Sequence, residues 1–346
     1  MDRHRQSLRL GAAVILLAIG LRLLPGVMDV AANFLAQPEV ASFLIYLETG
    51  RILRPIPEET VSMETNPPQN TLPPQHTVPE ETAVAVIAPL PTFSPEDTDL
   101  VKLKYHAQLK PDLEQLLCQE LNWDLAGKGP TVLILHSHAT ESYTKTKTES
   151  YKESSDYRTL NENYNMLSIG DYLAEKLEEG GLGVIHAKDL HDYPSYSGSY
   201  VNSRKTVQAY LKQYPTIQLV LDLHRDAADD GFGGQMDTSA IVDGKESARL
   251  MMVVGTNAGG MNHPNWEENL ALALKLHVVL EKRYPGLCRT ISFRKQRFNQ
   301  DLSPGAMLIE VGAAGNTRAE ALVAADALAW GILELAKGSA TSYSTD

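Results

Sequence analysis

The most constraining feature of this chain is a four-residue apolar run, Val132-Leu133-Ile134-Leu135, that passes straight into His136-Ser137-His138 and then Glu141. The run is apolar on both faces and partly β-branched, which predicts a strand covered on both sides of a sheet. Two imidazoles and a carboxylate where such a strand stops occupy the usual location of chemistry in an open α/β sheet. His136 and His138 are two apart, so a continuing extended backbone would project them to the same side. Two other apolar runs end the same way. Residues 217–223 lead to His224, and Ala306-Met307-Leu308-Ile309 leads to Glu310.

Segments of helical spacing separate these runs: 113–121, 163–179, 201–214, 266–284 and 317–335. Shorter strands are expected at 101–105, 183–186 and 249–254, and the alternating stretch 289–293 reads as an edge strand. Asp243-Gly244 between apolar runs predicts a hairpin. The polar stretch 144–158 reads as a mobile loop beside the histidines. Strand and helix alternate throughout, with no internal repeat. The fold class is therefore α/β, three-layered, with a mainly parallel sheet and helices on both faces.

The first hundred residues have a different character. Basic residues Arg3, Arg5 and Arg9 precede an unbroken apolar run, 10–21, followed by Arg22. This pattern is an export signal. The run is short against the ~20 residues of a spanning helix, but Arg22 can snorkel to extend it. Residues 1–26 are thus expected to be a signal-anchor or transmembrane segment, cleaved or retained. Retention leaves the rest of the chain outside the cytoplasm, since positive charge stays inside. Residues 27–54 read as a weakly amphipathic juxtamembrane helix. Residues 55–98 are rich in Pro, Thr and Glu and too poor in apolar surface to fold. As an extended linker they would reach on the order of 100 Å at ~3.1 Å per residue. The folded domain is expected over 100–338, with a disordered tail at 339–346. A net charge of −12 argues against nucleic acid as a partner. The two cysteines, Cys118 and Cys288, lack the spacing of a thiolate metal site. Both an unpaired pair of small buried residues and a disulfide between them stay open.

If the three apolar strands are parallel neighbours, His136 with His138, His224 and Glu310 converge at one sheet edge. Two neutral imidazoles and a carboxylate, with one position open, form the ligand set of a catalytic zinc. A second carboxylate then serves as general base, and Glu310 suits that role. Glu310 has a structural alternative, an ion pair with Arg225 or Arg297, because a buried carboxylate without a partner is costly. Several other hydrolase patterns fail. Thr140 and Glu141 stand where a metallo-β-lactamase HxHxDH motif needs Asp and His. HExxH and GxSxG are absent, and the domain is too short for an amidohydrolase barrel.

Six segments, HSHATESY, YNMLSIGDYLAEKL, GVIHAKDLHDYPSYSGSYVNSRKTV, VVLDLHRDA, HPNWEENLALALKL and NQDLSPGAMLIEVGAAGNT, together resemble the stage II sporulation protein P family of endospore formers. The resemblance covers about residues 100–336. It implies a zinc-exopeptidase-like fold akin to the zinc N-acetylmuramoyl-L-alanine amidases. It further implies cleavage of peptidoglycan between glycan and stem peptide, with endopeptidase activity also ascribed to the family. The setting implied is wall remodelling at the sporulation septum, on the cell membrane, in company with stage II sporulation proteins D and M. By position, His136 and His224 match the zinc histidines and Glu310 the catalytic glutamate. Glu141 is the choice for the remaining ligand, with His138 and Glu162 as alternatives. Arg158, Asn165, Arg204, Arg225 and Asn299 fall in family segments and are candidate substrate-binding residues. Asn161 and Ser137 depart from the family pattern, which has Asp and Thr there. A non-catalytic wall-binding scaffold and a zinc peptidase remain rival functions.

Overall fold

A computed structural model of the chain describes residues 91–121, 123–228 and 234–337. The expected anchor, juxtamembrane helix and C-terminal tail, and the linker up to residue 90, lie outside the described residues. Among the described residues no helix is long and apolar enough to cross a membrane.

Among the described residues, nine strands and five α-helices follow one another as β1 (Leu103–Tyr105), α1 (Leu113–Cys118), β2 (Val132–Leu135), α2 (Met166–Glu179), β3 (Val184–His186), α3 (Ser199–Gln213) and β4 (Leu219–Asp226). Then come β5 (Ser239–Val242), β6 (Lys245–Ala248), β7 (Leu250–Val254), α4 (Trp266–Arg283), β8 (Ile291–Phe293), β9 (Ala306–Ala313) and α5 (Arg318–Ala336). Seven strands form one sheet in the order β1-β8-β7-β9-β4-β2-β3. All neighbours are parallel except β7 and β9. The sheet thus joins two parallel blocks back to back, with β2, β4 and β9 adjacent in one of them. β5 and β6 form the expected hairpin, with Asp243 and Gly244 both at positive φ (47° and 79°). That is the conformation a two-residue hairpin turn demands.

Side-chain alternation sorts the core by face. Val132, Ile134, Leu219, Leu221, Leu223, Met307 and Ile309 pack with α1, α2, α4 and α5. Leu133, Leu135, Val220 and Ala306 pack under α3 with Val207 and Tyr210. Among the described residues, one face therefore carries four helices and the other a single helix. The thinly covered α3 face is where side chains at the ends of β4 and β9 come near solvent.

Helix starts follow capping chemistry. The Asn165 side chain accepts the Leu167 N–H at the head of α2, so this helix begins later than its periodicity predicts. Thr317 and Glu320 form a capping box at the head of α5. Two expectations change. β8 is not an edge strand: β1 pairs with its outer side, so Ile291, Ser292 and Phe293 are all buried. The domain also starts before residue 100. Pro95–Leu100 forms a 3-10 turn whose Asp97 pairs with Lys282, and Phe93 packs on the core. The 144–158 stretch is tied down at several points, by Ser142 to Tyr157, Lys145 to Glu153, Thr144 to Asn316 and Glu149 to Arg318. Cys118 and Cys288 are both free thiols.

Candidate metal centre

β2 and β4 pair with Leu135 beside Asp222, and β4 and β9 pair with His224 directly beside Glu310. Asp222, His224 and Glu310 share the parity of Val220 and Ala306, so all three project to the α3 face. His136 has the parity of Ile134 and projects to the opposite face. There its Nδ1–H donates to the Leu223 carbonyl at 2.9 Å, and its Nε2 meets His186 Nε2 at 2.9 Å. Residues 137–140 then turn, with Glu141 N–H reaching back to the His138 carbonyl at 3.2 Å. The turn breaks the extended alternation and delivers His138 and Glu141 to the α3 face. Among the described residues, His138, Glu141 and His224 form the group able to hold a metal ion, with their ligand atoms within 4.8 Å of one another. His136, expected among the ligands, lies outside this group because of its parity. Glu162, an alternative ligand, is exposed ahead of α2 and also outside it.

Each member is oriented by the residues behind it. His224 Nε2–H donates to Asp222 Oδ1 (2.9 Å), which leaves Nδ1 facing Glu141 Oε2 at 3.6 Å. Asp222 is itself fixed by the Ser137 N–H (2.7 Å) and hydroxyl (2.6 Å). His138 Nε2 bonds the Ser199 hydroxyl (3.0 Å), so its Nδ1 likewise faces Glu141, at 3.6 Å. Glu141 accepts from Arg158 Nη2 (3.1 Å) and from the Arg225 N–H (3.2 Å). The two histidines thus present Nδ1 atoms to one carboxylate while their Nε2 atoms are engaged elsewhere, the arrangement outer partners impose on metal-binding imidazoles. Asp222 and Ser199 were not singled out from sequence, and Ser137 only as a departure from the family pattern. The signal for Asp222 was its position two before His224 on the same strand face.

Charge in the site is uneven. Burial raises Glu141, but Arg225, His224 and His138 outweigh it and hold the carboxyl well below the usual range. Burial lowers His138 to about 4 despite Glu141. His224 goes the other way: burial disfavours its cation, yet Asp222 and Glu141 hold its pKa well above normal. Glu310 is half-buried, its Oε2 is enclosed with no hydrogen-bond partner, and burial pushes its pKa up to about 8. The sequence alternative of an ion pair between Glu310 and Arg225 or Arg297 does not form: Arg225 turns to Glu141 and Arg297 to Asp301. An orphaned carboxyl at the wall of a cluster of two imidazoles and a carboxylate is what a site for a divalent cation and a water requires. The residues present fit zinc in type, number and spacing.

Of the five expected substrate-binding residues, Arg158 reaches the cluster. It bridges Glu141 and Asp192 and lies 4.8 Å from the centre of the Tyr196 ring, which stacks on His138. Arg225 is buried behind the cluster, held by the Ser142 and Tyr157 carbonyls. Asn165 caps α2 and donates to the Thr159 carbonyl. Arg204 forms a two-pronged pair with Asp301 (2.8 and 2.7 Å), and Asn299 anchors the Tyr200 carbonyl.

Fold and site together define an α/β protein with a candidate His–Glu–His cation centre and, beside it, a glutamate with an unpartnered oxygen. The chain belongs to the stage II sporulation protein P family, whose model, Stage II sporulation protein P (SpoIIP), matches residues 58–332. Stage II sporulation protein P of Bacillus subtilis (strain 168) is 30% identical over 261 residues, 69% of this chain and 61% of that protein. The chain thus spans less than two thirds of the length of this relative. Among solved structures it is similar to the N-acetylmuramoyl-L-alanine amidase AmiC2 of Nostoc punctiforme, at TM-score 0.35 and 16% identity over 60% of this chain and 97% of that one. It is also similar to the N-acetylmuramoyl-L-alanine amidase of Clostridium difficile 630, at TM-score 0.36 and 17% identity over 63% and 100%.

Proposed function

We propose that this protein is a zinc-dependent peptidoglycan hydrolase of sporulation, an N-acetylmuramoyl-L-alanine amidase that cuts the amide between the glycan's lactyl group and the stem peptide. One observation carries the reading: His138, Glu141 and His224 converge beside Glu310, whose enclosed Oε2 has no hydrogen-bond partner. Membership of the sporulation family supports the setting.

His138 and His224 would hold the zinc through Nδ1, and Glu141 through its carboxylate. Zinc supplies a Lewis acid for the scissile carbonyl and lowers the pKa of water towards ~7. Glu310 takes the proton of the attacking water on its carboxylate and returns it to the leaving amine nitrogen as the C–N bond breaks. Its raised pKa suits a group that must both accept and give a proton near neutrality. Arg158 and Arg225 keep Glu141 ionised, and Asp222 keeps the Nδ1 of His224 turned to the centre.

The test is release of stem peptides from purified sacculi, read by mass spectrometry. Wild type should free peptides with a new N-terminal alanine amine. Glu310→Gln should lose ~10²–10⁴-fold in rate while keeping its zinc. Equal rates for the two proteins would overturn the mechanism, and cleavage within the peptide crosslinks alone would favour an endopeptidase. The reading includes a membrane anchor in residues 1–26 with the domain outside the cytoplasm, checked by protease accessibility on intact protoplasts. It also includes association with stage II sporulation proteins D and M, checked by co-purification from sporulating cells.

A further inference from the structure

Tyr200 lies in the first turn of α3, beside the candidate centre. Its ring stands edge-on to His138 (centroids 5.4 Å apart, 79°) and nearly parallel to His224 (6.3 Å, 12°). Phe298 packs against it from the other chain segment, at 5.8 Å. Phe298 and Asn299 both adopt positive φ, 50° and 59°, a conformation non-glycine residues seldom take. The surroundings enforce it: Asp301 is clamped by Arg204, and Asn299 Nδ2 donates to the Tyr200 carbonyl (2.8 Å) and to the Ser203 hydroxyl (3.2 Å). The strained turn thus seats Phe298 on Tyr200 and locks the ring and main chain of that residue.

The hydroxyl of Tyr200 is treated differently from the rest of it. It makes no hydrogen bond with any described residue. Tyr143, a fully buried tyrosine, donates its hydroxyl to the Val311 carbonyl at 2.7 Å. The charges that bear on the Tyr200 hydroxyl are those of the centre itself. Asp222, Glu310 and Glu141 are the acidic groups that face it. A rigidly held O–H with no partner, next to a candidate hydrolytic centre, is a preorganised donor for charge that develops during a reaction.

We propose that Tyr200 is a catalytic residue whose Oη–H donates a hydrogen bond to the scissile carbonyl oxygen as that oxygen gains negative charge. No proton is transferred; the bond strengthens towards the tetrahedral transition state and relaxes as the C–N bond breaks. The role rests on the hydrolase reading above.

The experiment compares the zinc-loaded full chain with Tyr200→Phe on a soluble muramoyl-peptide. Phenylalanine keeps the ring contacts with His138, His224 and Phe298 and removes only the hydroxyl. We expect kcat to fall ~10²-fold, as for loss of one oxyanion donor, with KM, zinc content and Tm unchanged. A kcat close to wild type would overturn the role. So would a loss confined to KM, or a drop in zinc content or Tm, since each makes the hydroxyl a binding or structural group. If the wild type itself fails to hydrolyse the substrate while binding zinc, the hydrolase reading falls, an outcome separate from failure at Tyr200 alone.

Discussion

At the residue scale, His136 and His138 sit two positions apart and on opposite faces of the sheet. His136 bonds the Leu223 carbonyl and His186, deep under α2, where a Cβ on Gly170 would come within 2.6 Å of its Nε2. His138 lies beside Glu141 and His224. Substitution should separate them. His138→Ala and His224→Ala are each expected to lose bound zinc, measured as metal per chain. His136→Ala should keep its zinc but lose ~2–4 kcal/mol of stability, because it leaves a cavity and unpartnered groups on the Leu223 carbonyl and His186. Loss of zinc in His136→Ala with retention in His138→Ala would reverse the assignment of ligands. Here the sequence supplied the residue types and their clustering. It did not reveal which histidine faces which way, because the turn at 137–140 is set by contacts such as those of Thr140 with Asp192, 52 residues away.

At the element scale, the apolar runs, the Asp-Gly hairpin and the long helices were legible because each is a local pattern of period 2 or 3.6 with its own caps. β8 was misread as an edge because nothing in Ile291-Ser292-Phe293 reports that β1, nearly two hundred residues earlier, lies beside it. α4 holds a feature that periodicity alone does not explain. Lys275 is buried on this helix, donates to the Leu117 carbonyl at the end of α1, and lies 4.2 Å from the centre of the Phe93 ring. Burial lowers its pKa to about 8, against ~10.4 in an unfolded chain. Between these values the unfolded chain binds the extra proton, so stability rises with pH. Below about pH 8 the full cost of the buried ammonium is present. Denaturant unfolding should therefore show a gain of ~1–3 kcal/mol from pH 8 to pH 10. In Lys275→Met that gain should vanish. An equal rise in both proteins would mean that Lys275 keeps an ordinary pKa in the fold.

At the scale of the whole molecule, β2, β4 and β9 belong to one parallel block, and their C-terminal ends bring together residues 138, 141, 224 and 310. A cation bound there would link three segments distant in sequence, and binding only the folded state stabilises it by mass action. Chelation should lower Tm, and returned zinc should restore it. The loss would correspond to ~2.7 kcal/mol if free zinc stood at 100 times Kd. A Tm indifferent to chelator and to zinc, by calorimetry, would remove the metal from the account. Read alone, the amino-acid sequence determined the fold class, the order of strands and helices, and the residue types gathered at three strand ends. These are carried by local hydrophobic period and by what stops it. Tertiary structure decided the register between strands, and with it the face on which each side chain stands. A shift of one residue exchanges the two faces of a strand. The register of β2 against β4 therefore turned His136 into the core and left His138, brought round by the turn, with Glu141 and His224 before Glu310.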